Sequence, residues 1–118
     1  MSYDLDVWEG EQPTSDAELR QKIIDIGDMR DGRYLRDEQC DRPSPKIAEF
    51  RQALLRRWPD VGEEGSPWKV RGAGDADGPT FRIYIREDWA GEVAPFVAGL
   101  AKVYGLVCLD CQTGRLRP

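Results

Sequence analysis

The chain has 118 residues, 40% of them hydrophobic, which is enough to bury a core in one domain, residues 1–118. Its 22 acidic and 17 basic side chains give a formal net charge of -5, which argues against non-specific binding to nucleic acid or to an anionic membrane. The same charge suits a basic protein partner, or simply keeps the chain in solution.

Histidine is absent, and there are three cysteines. The chain therefore lacks the usual general base and the commonest metal ligand, and we predict no catalytic, cofactor-binding or metal-binding residues. We find neither a secretory signal nor an apolar stretch long enough to cross a membrane. An odd number of cysteines without such a signal predicts reduced thiols in a cytoplasmic protein.

Taken in chain order, residues 3–8 form the first predicted strand, because apolar and polar side chains alternate along them. The apolar side chains share one face. The other face carries Asp4, Asp6 and Trp8, and we expect solvent to reach it.

The first helix is predicted to begin at Ser15, which forms a capping box with Glu18. Its buried face is aliphatic and consists of Leu19, Ile23 and Ile26. Either Gly27 or Gly32 should end it. Residues 28–42 are charged and poor in apolar side chains, so we predict a mobile connection there.

The second helix is predicted to begin at Ser44 as cap, with Pro45 in its first position, and to end before Pro59. The buried stripe of this helix is Ile47, Phe50, Leu54, Leu55 and Trp58. After the helix, residues 68–71 are predicted to form a short strand and residues 72–79 a loop.

Residues 80–86 form the clearest strand, since polar and apolar side chains alternate throughout. A third helix follows, capped by Asp88 and stopped by Gly105. Pro95 implies either a kink in this helix or a late start with Pro95 in the first turn. Residues 106–109 lack polar alternation, which predicts a strand covered on both faces.

The predicted order is β-α-α-β-β-α-β, which favours an α/β (α+β) sandwich: a four-stranded mixed sheet packed against three helices. A right-handed crossover through the third helix should make the last two strands parallel. If the first two helices pair with each other, the first strand also runs parallel to those two. Otherwise the topology approaches the ferredoxin-like arrangement, and both arrangements stay open.

Two motifs invite a chemical interpretation. Cys108 and Cys111 form a C-x-x-C, but Cys108 lies inside a strand and lacks the helix N-terminus that activates such thiols. We expect Cys108 in the core and Cys111 on the opposite face. The glycine-rich residues 72–74 open a strand rather than a helix, and Asp75 and Asp77 would repel phosphate. This loop is predicted to connect a hairpin.

Under the parallel topology, the carboxyl ends of three strands meet at one edge, where ligands of open α/β sheets bind. Aromatic and acidic side chains would collect there: Trp8, Glu9, Glu11, Glu87, Asp88, Trp89 and Asp110. Aromatic residues supply binding energy and charges supply association rate, so this edge predicts a site for a cationic protein. Alternatively, these are solvated turn residues and two half-buried tryptophans.

Three blocks resemble those of a family of small uncharacterised bacterial proteins, in matching order along most of the chain. They are residues 3–10 (YDLDVWEG), 66–68 (SPW) and 105–114 (GLVCLDCQTG). The resemblance brings no established catalytic residues. It implies a small acidic protein that is similar in kind to the immunity proteins of polymorphic or contact-dependent toxins.

The leading hypothesis is a non-enzymatic cytoplasmic protein-binding module. Most concretely, it is an immunity protein, a toxin inhibitor that covers the active site of a basic toxin such as a nuclease. The alternative is a small enzyme or ligand-binding domain that uses carboxylates or Cys111. A third hypothesis is a domain that self-associates through an exposed sheet edge. The sequence leaves the oligomeric state open.

Overall fold

A five-stranded antiparallel sheet forms the centre of the molecule in the computed structural model, which describes residues 1–117. Each strand pairs antiparallel with its neighbours, in the order β2-β3-β1-β4-β5. The α+β class is confirmed, whereas the prediction of four strands in a mixed sheet is wrong. The strands are β1 (Ser2–Trp8), β2 (Gly74–Asp77), β3 (Thr80–Arg86), β4 (Val107–Asp110) and β5 (Arg115–Leu116).

β1 lies between β3 and β4 and runs opposite to both. β3 and β4 therefore point the same way, as the crossover predicts, but they are not neighbours. This order of β1 to β4 is the ferredoxin-like one, and the parallel three-strand core is wrong. β1 occupies the centre because both of its faces are covered: Leu5 and Val7 are buried on one side and Trp8 on the other.

Three helices cover the sheet from both sides: α1 (Asp16–Leu35), α2 (Pro45–Arg57) and α3 (Ala90–Val103). α2 and α3 pack on one face, and α1 lies alone on the other. The molecule therefore has three layers: the α2–α3 pair, the sheet, and the single helix α1. Within residues 1–117, no helix combines the length and the apolar character that crossing a bilayer requires.

The main core lies between the sheet and the α2–α3 layer. Phe50 of α2 meets Phe81 of β3 edge-on, with ring centroids 6.3 Å apart. Each large apolar side chain buried here contributes roughly 2–3 kcal/mol. Cys108 is buried in this core, as predicted. The strand residues that line it are Leu5, Val7, Phe81, Ile83, Ile85 and Cys108.

The predicted helix signals at Ser44 and Gly105 are confirmed. The Ser44 hydroxyl caps α2 by accepting a hydrogen bond from a backbone N–H of its first turn. Gly105 follows α3 with φ +70, a conformation that favours glycine. The Leu106 N–H donates to the Ala101 carbonyl at 2.8 Å, and the Gly105 N–H donates to the Lys102 carbonyl at 3.1 Å. Together these bonds form a Schellman motif.

α3 begins later than predicted. Asp88 lies in a short 3-10 turn, Glu87–Trp89, and the helix proper starts at Ala90. Pro95 is the sixth residue of the helix, so the alternative in which the helix starts with Pro95 in its first turn is wrong. Its ring faces solvent, where the missing backbone N–H costs least.

The second strand is displaced from its predicted position. Residues 68–71 do not form a strand, and Trp68 makes a single bridge to Ile85. β2 lies instead within the predicted loop and pairs with β3. Gly74 explains the shift, because a Cβ there would lie 1.9 Å from the Arg82 carbonyl oxygen. Only glycine lets the two backbones approach so closely.

α1 is longer than predicted. It passes through Gly27 and Gly32 and ends at Leu35, so the mobile connection predicted for residues 28–42 is wrong over its first half. Neither glycine adopts a positive φ, and charged contacts made by the last turns hold the helix on the sheet.

Candidate functional site

The predicted acidic edge does not form, because β1 runs opposite to β3 and β4. Trp8 at the end of β1 pairs with Thr80, whereas Arg86 at the end of β3 pairs with Ser2. The predicted residues therefore divide along β1, whose seven residues span about 20 Å. One end holds Trp8, Glu9 and Glu11, and the other holds Glu87, Asp88 and Trp89. Asp110 lies between them, opposite Leu5.

Two of the seven predicted residues are not surface residues. Trp8 is 1% exposed and packs with Ile26, Val107 and Leu109 beneath α1. Asp110 is also buried. Trp89 is half-buried against the main core, while Glu11, Glu87 and Asp88 are exposed.

Asp110 joins the two ends of the described chain. Its carboxylate accepts hydrogen bonds from the Tyr3 hydroxyl and from Arg117 Nε, the latter at 3.1 Å. Arg117 also donates to the Tyr3 oxygen at 2.9 Å. Burial opposes the charge on Asp110, but the bonds from Tyr3, Gln112 and Arg117 outweigh it and lower the pKa of this carboxyl. Asp110 is a structural group rather than a partner contact.

The inner face of α1 changes character along its length. The contacting residues follow a 4-3-4-3 spacing: Leu19, Ile23, Ile26, Arg30 and Arg33. The three aliphatic residues pack on Trp8, Val107 and Leu109 of the sheet. The two arginines reach carboxylates of β1 and β2.

Arg30 forms a two-pronged pair with Asp6. Its two terminal nitrogens donate to the two carboxylate oxygens at 2.7 and 2.8 Å, and the Asp6 side chain is only 7% exposed. Burial opposes the charge on Arg30, but the bonds and the charge of Asp6 outweigh it and raise the pKa of the guanidinium. Arg82 of β3 lies 3.9 Å from the same carboxylate.

Arg33 forms the second pair one turn later. Its Nε lies 2.6 Å from Asp77 Oδ2, although the N–H is not aligned for a hydrogen bond, so the contact is an ion pair. Asp77 also accepts a hydrogen bond from the Asp41 backbone N–H at 2.9 Å. The pair thus ties α1, β2 and the segment before α2 together.

Two clefts flank these pairs, and Arg30 and Arg82 line both of them. The larger, about 460 Å³, opens under the last turns of α1. The smaller, about 260 Å³, is walled by Trp8, Leu109 and Cys111. The buried carboxylates beside these clefts, those of Asp6 and Asp77, are each paired with an arginine.

The thiols are also poorly suited to catalysis. Cys108 and Cys111 lie on opposite faces of the sheet, as predicted. Burial raises the pKa of Cys108 to about 12 and that of Cys111 to about 11, so both are protonated at neutral pH. Cys40 is exposed, and its pKa is raised by burial of its sulfur and by Asp77. Within residues 1–117, no cluster of three or more potential ligands could hold a metal ion.

The outer face of α1 is a second seam with the same 4-3 spacing. Every one of its six positions is exposed: Ala17, Gln21, Ile24, Asp28, Asp31 and Leu35. Ile24 is 51% exposed and Leu35 is 81% exposed. Neither Asp28 nor Asp31 forms a salt bridge with any residue from 1 to 117. We call these six residues the outer seam.

The pairs that position α1 are not among the predicted site residues. The sequence predicts Asp6 on an exposed strand face, Asp77 in a loop, and Arg30 and Arg33 in a mobile connection. A signal was present, because both arginines continue the 4-3 spacing of the aliphatic residues before them.

Comparisons with protein-family models, with curated protein sequences and with solved structures give no match to this chain. The resemblance to small bacterial proteins and to immunity proteins therefore stays a prediction.

Proposed function

We propose that the protein is a non-enzymatic binding protein whose partner is a basic protein. The proposal rests on the observation that the net negative charge of the chain lies on its surface. The internal pairs of Asp6 with Arg30 and of Asp77 with Arg33 each combine one acid with one base, so they leave the net charge of -5 to the surface. An acidic surface attracts a basic partner and speeds its association.

Most concretely, we propose an immunity protein that inhibits a basic toxin, such as a nuclease, by covering its active site. The pairing of Asp6 and Asp77 with arginines, together with the protonated thiols, supports a role in binding rather than catalysis. The three cysteines are all free, which supports a reducing, cytoplasmic setting.

The test is capture of the partner from the native cell with the tagged full-length chain, followed by co-expression of the captured protein. We expect a basic protein whose toxicity to the cell is relieved when both are expressed together. Recovery of no basic protein, or a captured protein whose activity is unchanged by the complex, would argue against the proposal.

A second candidate is binding of a small molecule in the smaller cleft. Its favouring observation is the combination of an apolar wall, formed by Trp8 and Leu109, with the polar groups of Cys111 and Asp6. The volume of about 260 Å³ lies slightly below the usual range for ligand pockets. Alkylation of Cys111 with a bulky maleimide, in the Cys40→Ser chain and at alkaline pH where more of the thiol is ionised, separates the two candidates, since it would block this cleft while leaving protein binding intact.

A further inference from the structure

We infer that the outer seam of α1 is the docking surface, and that its occupant is an amphipathic basic helix of the partner. This inference rests on the proposed function and specifies the site and the kind of partner. α1 has 20 residues, so it spans about 30 Å, and the outer seam follows its full length. An exposed seam this long offers a partner helix several turns of contact.

The inner face of the same helix shows how such a seam is matched. Its aliphatic residues pack on apolar side chains, and its arginines pair with Asp6 and Asp77 of the sheet. The outer seam repeats the spacing with the opposite charge, because Asp28 and Asp31 occupy the middle. A matching surface therefore needs two cations three or four residues apart, flanked by aliphatic side chains.

The exposed aliphatic residues make this more than a charged surface. Ile24 and Leu35 stand on either side of the two aspartates, at a 4-3-4 spacing along one face. These two residues lie eleven positions, about three turns, apart on one face, and apolar side chains on one helix face are the anchors by which one helix recognises another.

Charge selects a foreign partner over a second copy of this chain. Two outer seams paired in parallel, or antiparallel about the aspartates, would place the four aspartates of two molecules together with no base in either seam, and like charges at such distances repel. A basic helix replaces that repulsion with attraction. The occupant therefore belongs to a different protein, of opposite charge.

The experiment uses the full chain and a synthetic helical peptide of the same length as α1. The peptide carries Leu, Arg, Arg and Leu at the spacing of Ile24, Asp28, Asp31 and Leu35, and a second peptide carries Glu in place of both Arg. Binding is followed by backbone amide shifts in NMR titrations. We expect the arginine peptide to shift the amides of α1 and to weaken with added salt, and the glutamate peptide to do neither.

A pair of variants with equal charge change then locates the site. Asp28→Asn with Asp31→Asn should weaken binding of the arginine peptide about tenfold, since two exposed ion pairs are lost. Glu63→Gln with Glu64→Gln removes the same charge from an exposed turn and should leave the affinity within about twofold. Circular dichroism checks that α1 is still helical in both variants.

Three outcomes would overturn the inference: no α1 shift at millimolar arginine peptide, equal weakening by both pairs of variants, or a dimer in sedimentation that the Asp28 and Asp31 changes abolish. Failure here is distinct from failure of the proposed function. If a basic partner captured from cells binds the Asp28 and Asp31 variant as tightly as the natural chain, the function stands and the docking surface is wrong.

Discussion

Arg30 and Asp6 face each other across the boundary between α1 and the sheet, joined by two hydrogen bonds of 2.7 and 2.8 Å. The carboxylate is almost completely buried, while one quarter of the arginine side chain, 26%, is exposed. This pair secures the half of α1 that lacks aliphatic contacts.

The first prediction concerns this pair. Arg30→Met should lower the free energy of unfolding by about 3 kcal/mol, because it leaves the Asp6 charge buried without its main partner. Adding Asp6→Leu should recover most of that loss, since an apolar pair of similar volume needs no desolvation of charge. Urea denaturation measures both. Asp88→Asn is the control, because it removes an exposed pair with Arg86 and should cost no more than about 0.5 kcal/mol.

The second prediction concerns Gly74. An alanine there would place its Cβ 1.9 Å from the Arg82 carbonyl oxygen, so β2 must move away from β3. We expect Gly74→Ala to destabilise the fold by at least about 2 kcal/mol. Gly99→Ala is the matched control: its Cβ meets no atom within 4 Å on α3, and the helix should gain about 0.5–1 kcal/mol. Similar thermal midpoints for the two variants would contradict this account of β2.

The third prediction concerns pH. The pKa of Asp110 is lowered in the folded chain. The stability that this carboxylate contributes is therefore fully present above the pKa that an aspartate has in the unfolded chain, about 4. That contribution is lost as the pH falls through the lower, folded value. Denaturant titrations between pH 7 and pH 2 should therefore show a steeper fall for the natural chain than for Asp110→Asn. Parallel curves for the two proteins would remove Asp110 from the explanation.

The fourth prediction concerns the thiols. Cys40 is exposed and should be the first thiol to react with a disulfide reagent, at a rate limited by its raised pKa, whereas Cys108 should react only on unfolding. With a pKa of about 11, Cys111 is about one-thousandth thiolate at pH 8, so its rate should rise about tenfold per pH unit up to that value. Mass spectrometry of the Cys40→Ser chain isolates the Cys111 reaction. A fast reaction at pH 7 would mean that Cys111 is activated.

Local signals in the sequence predicted most of the elements correctly. The caps at Ser15 and Ser44 and the stop at Gly105 depend on contacts within a few residues, so they could be read directly. The alternation in β3 and the two-sided burial of residues 106–109 were also confirmed. These are properties of one segment at a time.

The errors arose where distant segments decide the outcome. Gly74 lies in a strand beside the Arg82 backbone, where only glycine fits, and Asp6 and Asp77 hold the charged end of α1 on the sheet by pairing with its arginines. The alternation of residues 3–8 predicts an exposed face for Trp8, because nothing nearby in sequence covers it. In the structure Ile26 of α1 packs against Trp8. The direction of β1 then divides the predicted edge residues along that strand.

The lone position of α1 has a consequence for local opening. Because a small aliphatic cluster and the ion pairs of Arg30 and Arg33 hold this helix within residues 1–117, it can detach while the sheet, α2 and α3 keep their common core. Its backbone amides should exchange with deuterium well before those of β1 and β3. Raising the ionic strength should speed exchange in its last two turns more than in its first two, since salt screens guanidinium–carboxylate attraction and leaves aliphatic packing intact.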